Sequence, residues 1–101
     1  MTSKSEQSNG IHKFTLGEVV DITMVNSLYD ALKILLNEAT QVVIDAKAVK
    51  RLDTAAMQLI LCWYRETTSR NISVTWQNTD GVFNNAANML GLTKELSLGN
   101  N

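Results

Sequence analysis

The sequence predicts a single α/β domain in which a mostly parallel central sheet is crossed by helices, and three observations carry that expectation. Segments of apolar alternation take turns with segments of three- and four-residue apolar steps, the order that right-handed strand–helix–strand crossovers produce. The run Val42-Val43-Ile44 is continuously apolar, as in a central strand covered on both faces. A chain of 101 residues has room for one core of modest size and no second domain.

Residues 1–10 hold Ser, Gln, Asn and Lys with one Gly, too little apolar surface to offset the entropy of ordering them. They are expected to form a flexible tail before a domain spanning 11–98, with a short second tail at 99–101. From Ile11 to Leu16, β-branched and aromatic residues suggest a strand, which Gly17-Glu18 interrupts before Val19-Val20 lead into Asp21. Val25, Leu28, Leu32, Leu35 and Ala39 share one face of a first helix, capped by either Asp21 or Thr23. Gln41 to Ala46 is the central strand, and a loop from Lys47 to Leu52 joins it to a second helix over about Thr54 to Ser69. Ile72, Val74 and Trp76 alternate with Ser73 and Thr75, which reads as another strand. Thr79 or Asp80 caps a third helix bearing Phe83, Ala86, Ala87 and Leu90, and Gly91 suits the left-handed position that stops it. The segment Thr93 to Leu98 is apolar enough to dock.

Composition removes several classes of function. A net charge of -1 offers no general attraction to nucleic acid or to anionic membrane, and no run approaches the length that crosses a bilayer. The polar start and the single cysteine point to a cytoplasmic protein of a reducing compartment. His12 and Cys62 are the sole residues of their types, so a zinc site built from several such ligands is excluded. A surface imidazole and a core-facing thiol are the plain expectation for them. Without a glycine-rich phosphate loop or a Gly-x-Ser-x-Gly elbow, no enzyme is expected, and neither a cofactor nor a metal. Asp45, at the strand end, resembles the acceptor aspartate of response-regulator receivers. The acidic pair that should accompany it is not evident, so it is read as ordering the next loop by accepting backbone hydrogen bonds.

The segment Leu52-Asp53-Thr54-Ala55-Ala56-Met57 carries the functional expectation. A carboxylate and a hydroxyl opening a helix can cap it, satisfying backbone N–H groups that have no intrahelical partner. The same N–H groups and the positive end of the helix dipole also favour a phosphate, which makes the hydroxyl a candidate acceptor. Beyond the mouth the second helix has almost no polar face in its first half apart from Gln58. Either it is wedged between sheet and neighbouring helix, or it offers a partner-binding face on which small Ala55 and Ala56 let another protein approach.

Taken in order, these residues resemble the STAS domain family, the module of bacterial anti-sigma-factor antagonists. The resemblance runs from about Ile11 to Leu98. A strand ending in Val-Ile-Asp, a short loop and then Leu52-Asp53-Thr54-Ala55-Ala56-Met57-Gln58-Leu59-Ile60-Leu61 is similar to the family's Asp-Ser/Thr-x-Gly-Leu segment. Gly17-Glu18 with Asp21 is similar to its early Gly-Glu-x-Asp, and Phe83 to Leu92 to its closing helix. Ala56 stands where the family usually has Gly, and an extra residue precedes Asp21.

The resemblance implies a non-catalytic interaction switch in signal transduction and transcription regulation. Its partner would be an anti-sigma-factor kinase that phosphorylates Thr54 and binds only the dephosphorylated form. Glu18, Asp21, Asp53, Thr54, Ala55, Ala56 and Gln58 would form the partner-binding face. Asp-Thr-Ala-Ala with Val74-Thr75-Trp76-Gln77 and Leu90-Gly91-Leu92 is also similar to stand-alone STAS proteins encoded with bacterial chemotaxis genes, which implies a chemotaxis signalling protein as partner. A hydroxyl residue that is Thr occurs as well in STAS proteins serving as unphosphorylated subunits of lipid-transport ATPases. The oligomeric state stays open.

Overall fold

A computed structural model describes residues 4–8 and 11–98, with side chains over 11–98. Strands β1 (Lys4–Ser8), β2 (Ile11–Thr15), β4 (Gln41–Asp45) and β6 (Ser73–Gln77) form one sheet in the order β1-β2-β4-β6. β2, β4 and β6 run parallel, and β1 joins the edge antiparallel to β2. A second, two-stranded parallel sheet pairs β3 (Val19–Val20) with β5 (Arg51–Leu52). The helices among the described residues are α1 (Val25–Glu38), α2 (Thr54–Ser69) and α3 (Val82–Met89), with a 3₁₀ turn at Ile22–Met24 ahead of α1. None of them is long and apolar enough to cross a membrane.

Side-chain alternation shows which way the sheet faces. His12 and Phe14 on β2, and Val42 and Ile44 on β4, are buried. Lys13, Thr15 and Val43 between them are half-buried, and Thr75 on β6 is exposed. The register sets Val43 between Lys13 and Thr75 on this more open face. The unbroken apolar run of β4 therefore does not mean cover on both faces, since β-branched residues also suit a half-solvated pleat. His12 corrects a second expectation. Period-two alternation puts its imidazole in line with Phe14, 6% exposed, with Nδ1 unpaired among the described residues. Cys62, expected inside, is exposed, because four-residue steps align it with exposed Gln58 and Glu66 on α2.

The flexible tail anticipated over 1–10 gives way at 4–8 to β1, with Lys4 opposite Thr15 and Ser8 opposite Ile11. Main-chain donors and acceptors on a sheet edge pair regardless of side-chain polarity, which composition cannot register. The rest of that segment, like 99–101, lies outside the described residues.

The core lies between the sheet's buried face and the helices. Leu28, Leu32 and Leu35 of α1 share one buried core with Met57, Ile60 and Leu61 of α2, and buried Trp63 donates its indole N–H to the Leu32 carbonyl at 3.0 Å. A row of rings continues the core on the same face of the sheet, Trp76 lying 5.6 Å from Tyr64 and 5.4 Å from Phe83. Its Nε1 donates to the Leu96 carbonyl at 2.8 Å, which together with buried Leu92, Leu96 and Leu98 docks the 93–98 segment as its composition suggests.

α3 ends as the sequence indicates. Gly91, at φ 71°, donates to the Asn88 carbonyl and Leu92 to that of Ala87, the paired bonds of a Schellman stop. Its start differs. Gly81, at φ 105°, is the N-cap and no side chain caps the helix; the carbonyls of Thr79 and Gly81 accept from Asn84 and Asn85, leaving the side chains of Thr79 and Asp80 without that role. At α1 the choice between Asp21 and Thr23 resolves toward Asp21, which caps the 3₁₀ turn leading into the helix.

Candidate functional site: the mouth of helix α2

Pairing of β3 with β5 builds the site. It brings Val19-Val20 beside Arg51-Leu52, and the Glu18 carbonyl accepts from the backbone N–H of both Lys50 and Arg51 at 2.8 and 3.0 Å. The segment after β2 is thereby laid against the entrance of α2. Asp53 then joins the two. Extended at φ -99°, it accepts the Ala56 N–H at 3.0 Å with Oδ1, the N-cap of α2, and the Ile22 N–H at 2.9 Å with Oδ2. One carboxylate holds a helix end and a turn separated by 31 residues.

Asp21 repeats the device on a smaller scale. Its Oδ1 accepts from the Thr23 N–H at 3.0 Å and from the Thr23 hydroxyl. The hydroxyl bond is the chief reason its carboxyl lies below the ordinary carboxylate range; slight burial opposes it, and the Thr23 N–H and the Arg51 charge reinforce it.

Thr54, the first residue of α2, is exposed, and among the described residues its hydroxyl has no hydrogen-bond partner in the protein. Of the two residues that the sequence offers at the helix mouth, Asp53 does the capping and the Thr54 hydroxyl is left to solvent. Gln58, one turn on, is exposed, and Ala55 and Glu18 are half-buried. Glu18, Asp21, Asp53, Thr54, Ala55 and Gln58 therefore share a partly or fully exposed surface. Ala56 does not. It is 0% exposed and lies with Met57 and Ile60 on the core side of α2, so it is withdrawn from that surface, contrary to the expectation from the sequence.

Ile22 is a surface residue that sequence reasoning passes over. It is 68% exposed, directly beside the mouth, on a turn pinned by Asp21 and Asp53. The available signal is an isoleucine placed between Asp21 and Thr23, outside the apolar steps of α1.

Asp45 performs the structural task read from the sequence. Its Oδ1 accepts from the Lys47 N–H and the Asn78 amide, both at 2.9 Å, and Lys13 lies 3.6 Å from Oδ2. Burial pushes this carboxyl up, but Asn78, the Lys47 N–H and the Lys13 charge outweigh it and hold it below its ordinary value. Asn78 itself sits in the left-handed region at φ 55°. Among the described residues no cluster of His, Cys, Asp and Glu could hold a metal ion.

A family model described as "Mlab, STAS domain" matches residues 5–99. No curated protein matches the sequence. Among solved structures, an anti-sigma factor antagonist from Mycobacterium paratuberculosis superposes with a TM-score of 0.76 at 19% identity, over 92% of this chain and 80% of that one. The anti-sigma factor antagonist SpoIIAA in its unphosphorylated form gives 0.76 at 14% identity, over 91% of this chain and 83% of that one. Bacillus SpoIIAA in its phosphorylated form gives 0.74 at 14% identity, over 91% and 86%. At these identities the likeness is one of fold.

Proposed function

We propose, from the premise that this chain belongs to the STAS domain family, that it is a non-catalytic regulatory module that docks a signalling protein through the mouth of α2 and is switched by phosphorylation of Thr54. The observation that carries the reading is the division of labour at the mouth. Asp53 satisfies the helix end, so the Thr54 hydroxyl can be modified without removing the cap. A phosphate there brings about -1.5 to -2 charges, which the helix dipole partly offsets. The fold survives, while a bulky, hydrated anion beside Asp53 and Asp21 blocks the surface a partner must cover. The partner is a kinase of the anti-sigma type or a chemotaxis signalling protein, and Glu18, Asp21, Asp53, Ala55 and Gln58 frame its contact.

A second reading keeps the same docking surface without the switch: a constitutively unphosphorylated subunit of a lipid-transport ATPase. The identity of the hydroxyl residue, Thr rather than Ser, favours it. Affinity capture from the native cell with wild-type and Thr54→Glu baits, read by mass spectrometry for bound proteins and for phosphate on Thr54, separates the two. Loss of a kinase or signalling partner with the Glu bait, together with phosphate on Thr54, is the expected result. An ATPase retained by both baits with Thr54 unmodified overturns the switch in favour of the subunit.

A further inference from the structure

A second concave feature lies away from the mouth, between α1 and α2. Cys62, on its wall, is more than two helical turns, about 12 Å, beyond Thr54 along the helix axis. Leu32 and Leu36 of α1 face Leu59 and Trp63 of α2 across a cavity of about 270 Å³, with Tyr29 and Lys33 along the α1 side.

Size and ends constrain the occupant. A closed apolar cavity of about 150 Å³ takes a benzene ring, and pockets for drug-sized ligands begin near 300 Å³. This cavity therefore suits one apolar chain or a pair of small rings. At one end Arg70 reaches across from the end of α2, donating to the Leu36 carbonyl at 3.3 Å and to Asn37 Oδ1 at 3.4 Å while pairing with Glu66 at 3.0 Å. That bridge closes the end a partner helix would have to run through, which disfavours the usual helix-in-groove mode.

Charge selects the head group. The Arg70 and Glu66 charges cancel in their own ion pair. Among the described residues Lys33 makes no ion pair; its ammonium lies 5.9 Å from the Tyr29 ring centre, at the rim of the apolar floor. A flexible cation beside a short apolar trough complements an anion on a short apolar chain.

We infer that the α1–α2 groove is a binding site for a small single-chain amphiphile of the fatty-carboxylate class, its chain against Leu32, Leu36, Leu59 and Trp63 and its carboxylate at the Lys33 ammonium. The site is independent of Thr54 and of the signalling role assigned to the mouth.

The test follows the two indole N–H resonances of the ¹⁵N-labelled protein during titration with decanoate and with decanol, both below their aggregation limits. Trp63 lines the groove, and Trp76, across the core against Phe83, is the internal control. A saturable shift of Trp63 and not of Trp76 is expected with decanoate. Lys33→Gln, at an exposed position, should weaken decanoate about fivefold, the scale of one exposed charge pair, and leave decanol unchanged. Cys62→Phe, also at an exposed position, should plug the groove and abolish the response to both. A Trp63 resonance that never saturates, or a response that survives Cys62→Phe, overturns the site. Equal weakening of decanoate and decanol by Lys33→Gln, or no weakening of either, overturns the carboxylate assignment.

Discussion

From Ala56 to Thr67, α2 presses Met57, Ile60, Leu61 and Trp63 into the core, while one turn earlier Asp53 and Thr54 stand at or near the surface, where the Asp53 carboxylate accepts from the backbone N–H groups of Ala56 and Ile22. The body of the helix is held by volume and the mouth by directional polar contacts. Volume lost from a close-packed interior is costly to replace, because neighbours relax only partly into the gap. A surface hydrogen bond exchanges with water at far smaller net cost. One helix can therefore anchor the domain at one end and accept a changed charge at the other, which is what the proposed phosphorylation switch requires.

The sharpest way to break this contrast is at Trp63. The side chain is 4% exposed and its indole N–H is satisfied by the Leu32 carbonyl. Trp63→Ala should cost about 3–5 kcal/mol, through the cavity left behind and the carbonyl left without its donor. Urea unfolding monitored by circular dichroism measures it. A loss below about 1 kcal/mol would mean that the body of α2 is not the anchor described.

Asp53 comes next in size. Asp53→Ala removes the cap of α2 and the acceptor of the Ile22 N–H together, and should cost about 2 kcal/mol by the same measurement. Asp53→Asn keeps one acceptor oxygen, so its cost should be about half as large. If Asp53→Ala were as damaging as Trp63→Ala, mouth and body would not be energetically distinct.

The same contrast explains what could be read in advance. Where burial follows a period, the residues announce it: Leu28, Leu32 and Leu35 on α1, the inward stripe of α2, and Gly91 at a left-handed stop are all legible. The Asp53-Thr54 mouth is legible as well, since caps have restricted chemistry. Facing is harder. Val43, His12 and Cys62 take their exposure from which side of the sheet or helix the neighbours occupy, a tertiary fact that no single residue encodes. Ala56 misleads for the same reason, because adjacent small residues on a helix point about 100° apart. β1 and Gly81 are built on backbone geometry, main-chain pairing in one case and φ 105° in the other, and side-chain patterns report both weakly. The Asp53–Ile22 contact joins residues 31 apart and has no local signature at all.

Acid should loosen the polar contacts before the body. Asp21 and Asp45 are held below the ordinary carboxylate value of 3.8, Asp21 chiefly by the Thr23 hydroxyl and Asp45, against its burial, by Asn78, the Lys47 N–H and Lys13. A lowered folded-state value means a stabilising contribution that is whole above the unfolded value and is lost as pH falls through the folded one. Amide exchange at Thr23 and Lys47 should therefore accelerate, relative to the intrinsic rate, as pH falls below about 4, while that of Ile60 keeps its protection. Asp45→Asn should remove the pH dependence at Lys47. Protection lost at Ile60 in step with Lys47 would join the two regions into one cooperative unit.

Thr54→Glu should produce the smallest change in stability and, under the proposed switch, the largest in binding. A glutamate at the first helical position gains roughly 0.3–1 kcal/mol from the helix dipole and loses part of it to repulsion from Asp53, so the net should lie within about 0.5 kcal/mol of wild type. No core volume changes, because Thr54 is exposed, and no cap is lost, because Asp53 holds it. Urea midpoints of the two proteins should nearly coincide. If Thr54→Glu unfolded the domain, loss of a partner from the Glu bait would report a broken fold rather than a blocked surface. Near-identical midpoints exclude that explanation, and any loss of binding must then arise at the mouth of α2 itself.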